Sequence, residues 1–185
     1  MLHARHTKLF ALLSLLVPFS GLTSCSSSDK KLPPLKTVAH VDLGRFMGRW
    51  NVIGGILSPL EKGHVAGSDT YSLRSDGDID VVYEARKETL DGKPTRMTQH
   101  AWVVDTKSNA EWKVRPIWPL SFPYLVIDLD ADYSYAVIGY PDRSYVWIMA
   151  RAKSLPETTL AAIFERLRQQ GYDTDRIKRQ LQPSS

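Results

Sequence analysis

Residues 79–115 read IDVVYEARKETLDGKPTRMTQHAWVVDTKSNAEWKVR, and the alternation of side chains in this stretch decides the fold. Ile79, Val81 and Tyr83 fall on one side of an extended chain, and Asp80 falls on the other. A period of two residues predicts β-strands with one buried face and one solvated face. The Asp-Gly and Ser-Asn pairs between the apolar runs are typical turn sequences. The stretch therefore predicts consecutive antiparallel strands joined by short turns.

The same pattern extends over most of the chain. It predicts eight strands, at Arg49–Ile56, Ala66–Arg74, Ile79–Glu88, Thr95–Asp105, Ala110–Arg115, Tyr124–Asp128, Ser134–Tyr140 and Ser144–Ala150. Eight antiparallel strands in sequence order favour an all-β, up-and-down β-barrel, because closure removes the exposed sheet edges. An eight-stranded barrel has an interior just wide enough for side chains or for one small ligand, so a calyx is expected.

One C-terminal α-helix is predicted after the last strand. Ser154 and Glu157 match a capping box, with Ser154 as the N-cap, and Gly171 is placed to end the helix. A single apolar stripe runs along it, formed by Leu160, Ile163, Phe164 and Leu167. The strand Ser144–Ala150 is apolar on both faces. We therefore expect one face to point into the barrel and the other to receive the helix.

The N-terminal residues are read as a targeting segment rather than as part of the fold. Residues 1–24 combine a basic start with a short apolar run, which is typical of a signal peptide and too short for a stable membrane span. The sequence Leu-Thr-Ser-Cys that ends at Cys25 resembles a bacterial lipobox, which predicts lipidation of Cys25. An ordinary signal peptide with an incidental Cys25 is the alternative. Residues 25–37 are predicted to be a lipid-anchored tether and residues 38–185 the folded domain.

Composition excludes several classes of protein. Across 185 residues there are 24 basic and 20 acidic side chains, and two of the basic ones lie in the predicted signal peptide. The remaining chain is close to neutral and shows no clustered basic patch, so no nucleic-acid partner is expected. A single Cys excludes an intrachain disulfide scaffold. No catalytic motif and no metal-ligand spacing is found, so we predict no catalytic residues, no metal and no cofactor.

Three local motifs, in the right order, resemble those of the lipocalin family. Gly48-Arg49-Trp50 opens the first predicted strand like the family's G-x-W signature. Tyr71-Ser72-Leu73 lies in the second strand. Residues 141–151, PDRSYVWIMAR, resemble the late segment in which a strand ends in Arg. The resemblance covers most of the chain after the tether, and it includes bacterial outer-membrane lipoproteins and proteins similar to apolipoprotein D.

The resemblance implies structural roles for Gly48, Trp50 and Arg151. In the family's geometry the guanidinium of Arg151 lies across the closed end of the barrel, over the indole of Trp50. Such a cation–π contact contributes about 1–2 kcal/mol in a partly dry site.

Alternation from Trp50 gives a set of residues expected to face a ligand cavity. They are Val52, Gly54, Tyr83, Ala101, Trp112, Val114, Leu125, Ile127 and Trp147. The small residues Gly54 and Ala101 favour a cavity over a filled core, which is the alternative. We therefore expect Ala101→Trp to block ligand binding without unfolding the barrel. Apart from Asp69 near one end, the inner positions carry no clear charge, so an apolar ligand is expected.

Residues 115–123 contain three prolines among large apolar side chains, and are predicted to break the strand ladder. Two interpretations remain open: a loop folded back on the barrel, or an exposed apolar lip that touches membrane or ligand at the mouth. Residues 57–65 are expected on the other side of that mouth.

These features together favour a lipid-anchored lipocalin at the periplasmic face of the outer membrane. It would bind, store or transport a fatty acid or lysophospholipid without chemistry. An interaction lipoprotein with a filled barrel is one alternative, and an enzyme acting on a lipid or pigment in the calyx is another. The oligomeric state stays open, a homodimer included.

Overall fold

Eight antiparallel strands follow one another around a barrel in sequence order. The structure is a computed structural model that describes residues 32–184, so residues 1–31, with the predicted signal peptide and Cys25, lie outside its description. The strands are β1 (Gly48–Ile56), β2 (His64–Leu73), β3 (Ile79–Lys87), β4 (Pro94–Val103), β5 (Glu111–Ile117), β6 (Leu120–Leu129), β7 (Tyr135–Gly139) and β8 (Val146–Ala150). β1 pairs with both β8 and β2, which closes the sheet. The predicted eight-stranded barrel is confirmed.

A short C-terminal segment, residues 178–182, completes the seam between β1 and β2. We call it the C-terminal clasp, and its first two residues form strand β9 (Lys178–Arg179) against β1. β1 pairs directly with β2 only through residues 48–51. Beyond that point the Gln182 side-chain amide donates to the carbonyl of Val52 on β1 at 2.8 Å and to that of Gly67 on β2 at 3.0 Å. The clasp thus connects strands β1 and β2.

Strand β8 is apolar on both of its faces, as its sequence indicates. Trp147 and Met149 point into the barrel, whereas Val146 and Ile148 belong to a second cluster outside it. Helix α2 (Glu157–Gln169) covers that outer cluster with its buried side chains Leu160, Ile163 and Leu167. The predicted C-terminal helix outside the barrel is confirmed.

The predicted start of this helix is wrong. Pro156 is the N-cap of α2, and no side chain caps the first turn. Glu157 does not fold back toward Ser154 but forms an ion pair with Arg179 of the clasp. A proline at the N-terminal boundary replaces the capping box, since its missing N–H would have no partner there. At the other end Gly171 adopts a φ of +87°, which suits its predicted role.

Residues 115–123 form a hairpin and not an irregular loop. β5 continues to Ile117 and β6 begins at Leu120, and these two residues pair across the turn. A bulge between Val114 and Ile117 accommodates Pro116, so the prolines interrupt the ladder without ending it. The tip is exposed: Trp118 has 80% of its surface accessible. The hairpin is therefore an apolar lip.

Candidate ligand-binding site

One end of the barrel is sealed by a short helix and an arginine. Helix α1 (Leu43–Phe46) lies across this end, and Phe46 is completely buried beneath it. The guanidinium of Arg151 lies 3.8 Å from the centroid of the Trp50 ring. It also donates to the carbonyls of Arg45 at 2.7 Å and Arg49 at 2.9 Å. The side chain therefore ties the last barrel strand to α1 and to the start of β1.

A cluster of large side chains fills the barrel next to this closed end. Trp50 and Trp112 are almost fully buried, and Phe46 packs against each with ring centroids 5.1 Å apart. Ala101 is also fully buried in this cluster. The lower barrel is thus a packed core and offers no volume to a ligand.

Above the packed core lies a cavity of about 360 Å³. Pockets that take small molecules span roughly 300–1,000 Å³, so one small ligand fits. Its walls are mostly apolar, with Val81, Met97 and Ile138 among the side chains that line them. The cavity reaches the surface beside Leu60 of the short 3-10 turn Pro59–Glu61. It also opens beside Leu120 of the apolar lip, and both leucines are more than half exposed.

Paired tyrosines form the boundary between the packed core and the cavity. The hydroxyls of Tyr71 and Tyr124 lie 2.8 Å apart. Burial is the largest influence on both groups and raises both pKa values. Both hydroxyls therefore stay neutral in ordinary solution and satisfy one another at the cavity floor.

The 3-10 turn at the mouth is held down by a buried carboxyl group. Glu61 is 8% exposed, and its oxygens accept from the indole N–H of Trp147 at 2.9 and 3.1 Å. The hydroxyl of Ser58 donates to the same carboxyl group at 2.6 Å. This carboxyl group connects the loop after β1 to strand β8 across the rim of the cavity.

A second carboxyl group, Asp69, lies on the cavity wall. It pairs in the β-ladder with Trp50 on one side and Tyr83 on the other, and only 8% of its surface is exposed. Burial, and after it the charge of Glu61, raise the pKa of Asp69 from 3.8 to about 8. Burial also raises the pKa of Tyr83, and the charges of Glu61 and Asp69 raise it further.

Three of the residues predicted to face a ligand line this cavity: Tyr83, Val114 and Trp147. Val52 is fully buried and lies opposite Met149 in the β-ladder, but it is not part of the lining. Trp112 and Ala101 point inward below the cavity, in the packed core. An Ala101→Trp substitution would therefore meet close-packed atoms and not ligand volume, which overturns the expectation stated for it.

Gly54 does not point inward. The pairing of β1 with β8 shifts between Val52 and Gly54, so one extra residue reverses the alternation counted from Trp50. A Cβ on Gly54 would lie 2.7 Å from the carbonyl oxygen of Lys178. Because Gly54 has no side chain, β9 can approach β1 closely. Gly54 therefore adds no volume to the cavity.

The prediction that Leu125 and Ile127 face the cavity is also wrong. Both belong to the outer cluster around helix α2, whereas Tyr124 lines the cavity and Val126 lies in the inner core. The two faces of β6 are equally apolar because the helix covers the outer one. Hydrophobicity alone therefore gives no signal for which face points inward.

Sequence reasoning missed several lining residues. Met97 and Gln99 share the parity of Ala101 on β4, and Met149 shares that of Trp147 on β8, so counting by two would have found them. Glu61 carries no such signal, because it lies in a turn between strands. Its burial depends on the contact with Trp147, which is distant in sequence.

A closed antiparallel barrel with one sealed end, an apolar cavity and one external helix has the architecture of the lipocalin class. The family model described as a lipocalin-like domain matches residues 41–182, and the chain belongs to this family. It is 34% identical to temperature-induced lipocalin-1 of Arabidopsis thaliana over 152 residues, which covers 77% of this chain and 80% of the relative.

Other relatives and folds agree with this assignment. The chain is 28% identical to the outer membrane lipoprotein Blc of Escherichia coli K12 over 166 residues, covering 89% of this chain and 92% of that protein. Insecticyanin from the tobacco hornworm Manduca sexta superposes with a TM-score of 0.63 at 16% identity, over 83% of this chain and 86% of that one. At that identity the likeness concerns the fold alone.

Residues 32–184 contain neither a grouped set of metal ligands nor a membrane-length helix. In that range no three His, Cys, Asp or Glu side chains are grouped so that they could hold a metal ion. The helices of the same range are all too short or too polar to cross a membrane.

Proposed function

We propose that this protein binds a small, mainly apolar molecule in the barrel cavity and releases it unchanged. The observation that carries the proposal is the 360 Å³ cavity above a core that is already packed. The volume is not a packing defect at the closed end but a chamber that opens beside Leu60 and Leu120. A single alkyl or acyl chain, as in a fatty acid or a lysophospholipid, matches an apolar chamber of this size.

We further propose that the protein is a lipoprotein of the bacterial outer membrane and faces the periplasm. The lipobox-like sequence before Cys25 supports this location, and so does similarity to relatives named outer membrane lipoproteins. Several acyl chains on Cys25 would make attachment effectively permanent, since each buried CH₂ contributes about 0.8 kcal/mol. In this location the protein would store lipid or carry it within the envelope.

The contacts of residues 32–37 indicate that the second half of the proposed tether is bound to the barrel domain. The carbonyl of Pro33 accepts a hydrogen bond from the Arg143 guanidinium, and Leu35 packs into the outer cluster. The backbone N–H of Lys36 donates to the Gln170 side chain at 2.9 Å. Any free tether is therefore shorter than residues 25–37.

The test is extraction of the native protein under mild conditions, followed by mass spectrometry of the bound small molecules. We expect an amphiphile with one long chain to copurify with the parent protein. The matched control is Met97→Trp, which places an indole in the cavity, and we expect it to purify without the amphiphile. Absence of any small molecule in the parent, or equal occupancy in both proteins, would contradict the proposal.

A further inference from the structure

The cavity has an unusual charge pattern for a chamber that takes apolar molecules. Its lining contains two carboxyl groups, Glu61 and Asp69, and no Lys, Arg or His among the residues that the structure describes. Both carboxyl groups are 8% exposed. Burial of a carboxyl group costs free energy in either protonation state unless hydrogen bonds compensate for the lost water, so each of the two groups needs an explanation.

The two carboxyl groups differ in how well they are satisfied. Glu61 accepts from Trp147, from the Ser58 hydroxyl and from the Ser58 backbone N–H, the last at 3.2 Å. These contacts compensate for the burial of Glu61 and give it a structural role. Asp69, in contrast, receives no hydrogen bond from residues 32–184, and within that range burial and the charge of Glu61 raise its pKa. A buried polar side chain on a cavity wall without a protein partner is available to a ligand.

The chemistry of the ligand follows from these groups. A carboxylate or phosphate placed beside Asp69 would meet the charge of Glu61 in a dry site, and it would form no ion pair with Asp69. A primary ammonium group has three donors and a positive charge, so it would stabilise the ionised form of Asp69 and offset the charge of Glu61. The apolar walls around Val81, Met97 and Ile138 would hold the attached chain.

We propose that the cavity takes an amphiphile whose buried end is a protonated primary amine, and that the Asp69 carboxylate is its ion-pair partner. This inference rests on the proposed function, since it names the chemical class of ligand for the same cavity. It distinguishes an amine-first orientation from a fatty acid bound with its carboxylate outside the mouth.

The proton balance of this binding step is defined. Asp69 is mostly protonated in the free protein at neutral pH, because its pKa is about 8. A primary alkyl amine has a pKa near that of lysine, about 10.4, and arrives protonated. Formation of the ion pair therefore releases the Asp69 proton to the solvent, while the amine keeps its own.

The experiment is a calorimetric titration of the purified protein with decylamine, 1-decanol and decanoate at pH 7. Each titration is run in two buffers of different ionisation enthalpy, which gives the number of protons released. We expect decylamine to bind more tightly than the other two and to release close to one proton. We expect 1-decanol to release none, since a hydroxyl can bond to protonated Asp69.

Asp69→Asn is the informative variant, because asparagine has the shape of the protonated acid but cannot ionise. We expect it to weaken decylamine binding about tenfold or more, the equivalent of losing one charge-assisted hydrogen bond. Its effect on 1-decanol should stay within about threefold. Asp132→Asn is the matched control, since Asp132 is an exposed acid in the turn between β6 and β7.

The outcomes separate the inference from the proposed function. If none of the three compounds binds, the proposed function fails. If 1-decanol or decanoate binds but decylamine releases no proton, or keeps its affinity in the Asp69→Asn variant, the inference fails and the proposed function stands. The proton count needs only the parent protein, so it decides the matter even if the variant does not fold.

Discussion

Arg151 combines a cation–π contact with several hydrogen bonds that hold the closed end together. It lies over the Trp50 ring, and it donates to backbone carbonyls in the last turn of α1 and directly after it, including Met47 at 2.9 Å. Desolvation lowers the pKa of this guanidinium, but it does so from a value so high that the charge remains. A single side chain therefore fixes the short helix that seals the barrel.

We predict that Arg151→Ala lowers the free energy of unfolding by about 2–4 kcal/mol, because it removes the cation–π contact and leaves carbonyl groups without donors. Denaturant titration would measure the loss. Arg151→Lys is the control: it keeps the charge but cannot reach several carbonyls at once, so it should restore only part of the stability. An unchanged stability together with altered ligand preference would contradict a structural role.

Asp69 makes the stability of the barrel depend on pH. Its pKa is about 8 in the folded protein, against 3.8 in the unfolded chain, so between these values the folded state binds more protons. The free energy of unfolding must then fall as pH rises from about 4 to about 8, with a limiting slope of about 1.4 kcal/mol per pH unit. Above that window both states are ionised and the effect levels off.

We predict that Asp69→Asn removes this part of the pH dependence. Urea unfolding of the ligand-free protein at pH 5 and pH 9 would show a smaller difference for the variant than for the parent. Parallel pH profiles for parent and variant would show that Asp69 titrates normally and is reached by solvent.

At the level of strands, the sequence predicts which strands exist and in what order better than it predicts which side chains point into the barrel. The eight strands of the barrel and helix α2 were predictable because their apolar periodicity and turn residues are local signals. The inward residues of β1 were predictable only as far as Val52, since the bulge at Ile53 depends on pairing with β8. On β6 both faces are buried, and the sequence contains no difference between Tyr124 and Leu125 that assigns them to opposite sides.

The same distinction applies to the cavity. Aromatic residues on inner positions indicated a barrel interior, but not where the packed core ends and the cavity begins. That boundary depends on which large side chains meet across the barrel, as Phe46 meets Tyr71 and Trp112. The polar features were the least predictable, because Glu61 is buried by a contact between a turn and a distant strand.

Position along the barrel decides what a large substitution does on strand β4. We predict that Ala101→Trp destabilises the fold by about 1–3 kcal/mol or more, since Ala101 is fully buried among the packed aromatic residues. Met97→Trp, four residues earlier on the same face, should melt nearly normally, because it lines the open cavity. Thermal melts of the two variants test the contrast.

Binding of the apolar dye N-phenyl-1-naphthylamine provides the second measurement for this pair. Met97→Trp should lose the dye, whereas Ala101→Trp should retain it at temperatures where the variant is still folded. The reverse pattern, with a stable Ala101→Trp variant that no longer binds, would mean that the cavity extends to the closed end.

For the molecule as a whole, we predict that Cys25→Ala releases the protein from the outer-membrane fraction. The prediction rests on the lipobox-like sequence and on the apolar run before it. Fractionation of cells after a high-salt wash, followed by immunoblotting, measures it. If the variant stays with the membrane, the apolar lip becomes the first surface to test, because Trp118 at its tip is 80% exposed.

The C-terminal clasp has a consequence for the order of events during synthesis. The clasp joins Val52 to Gln182, 130 positions later, so strand β1 can be fully paired only after all the other barrel strands have been synthesised. Under the export proposed for this protein, late sealing would keep the chain from reaching its final shape halfway through the translocation pore. By the same reasoning, a protein fused directly after residue 182 would interfere with the contacts between the clasp and strands β1 and β2, which form last.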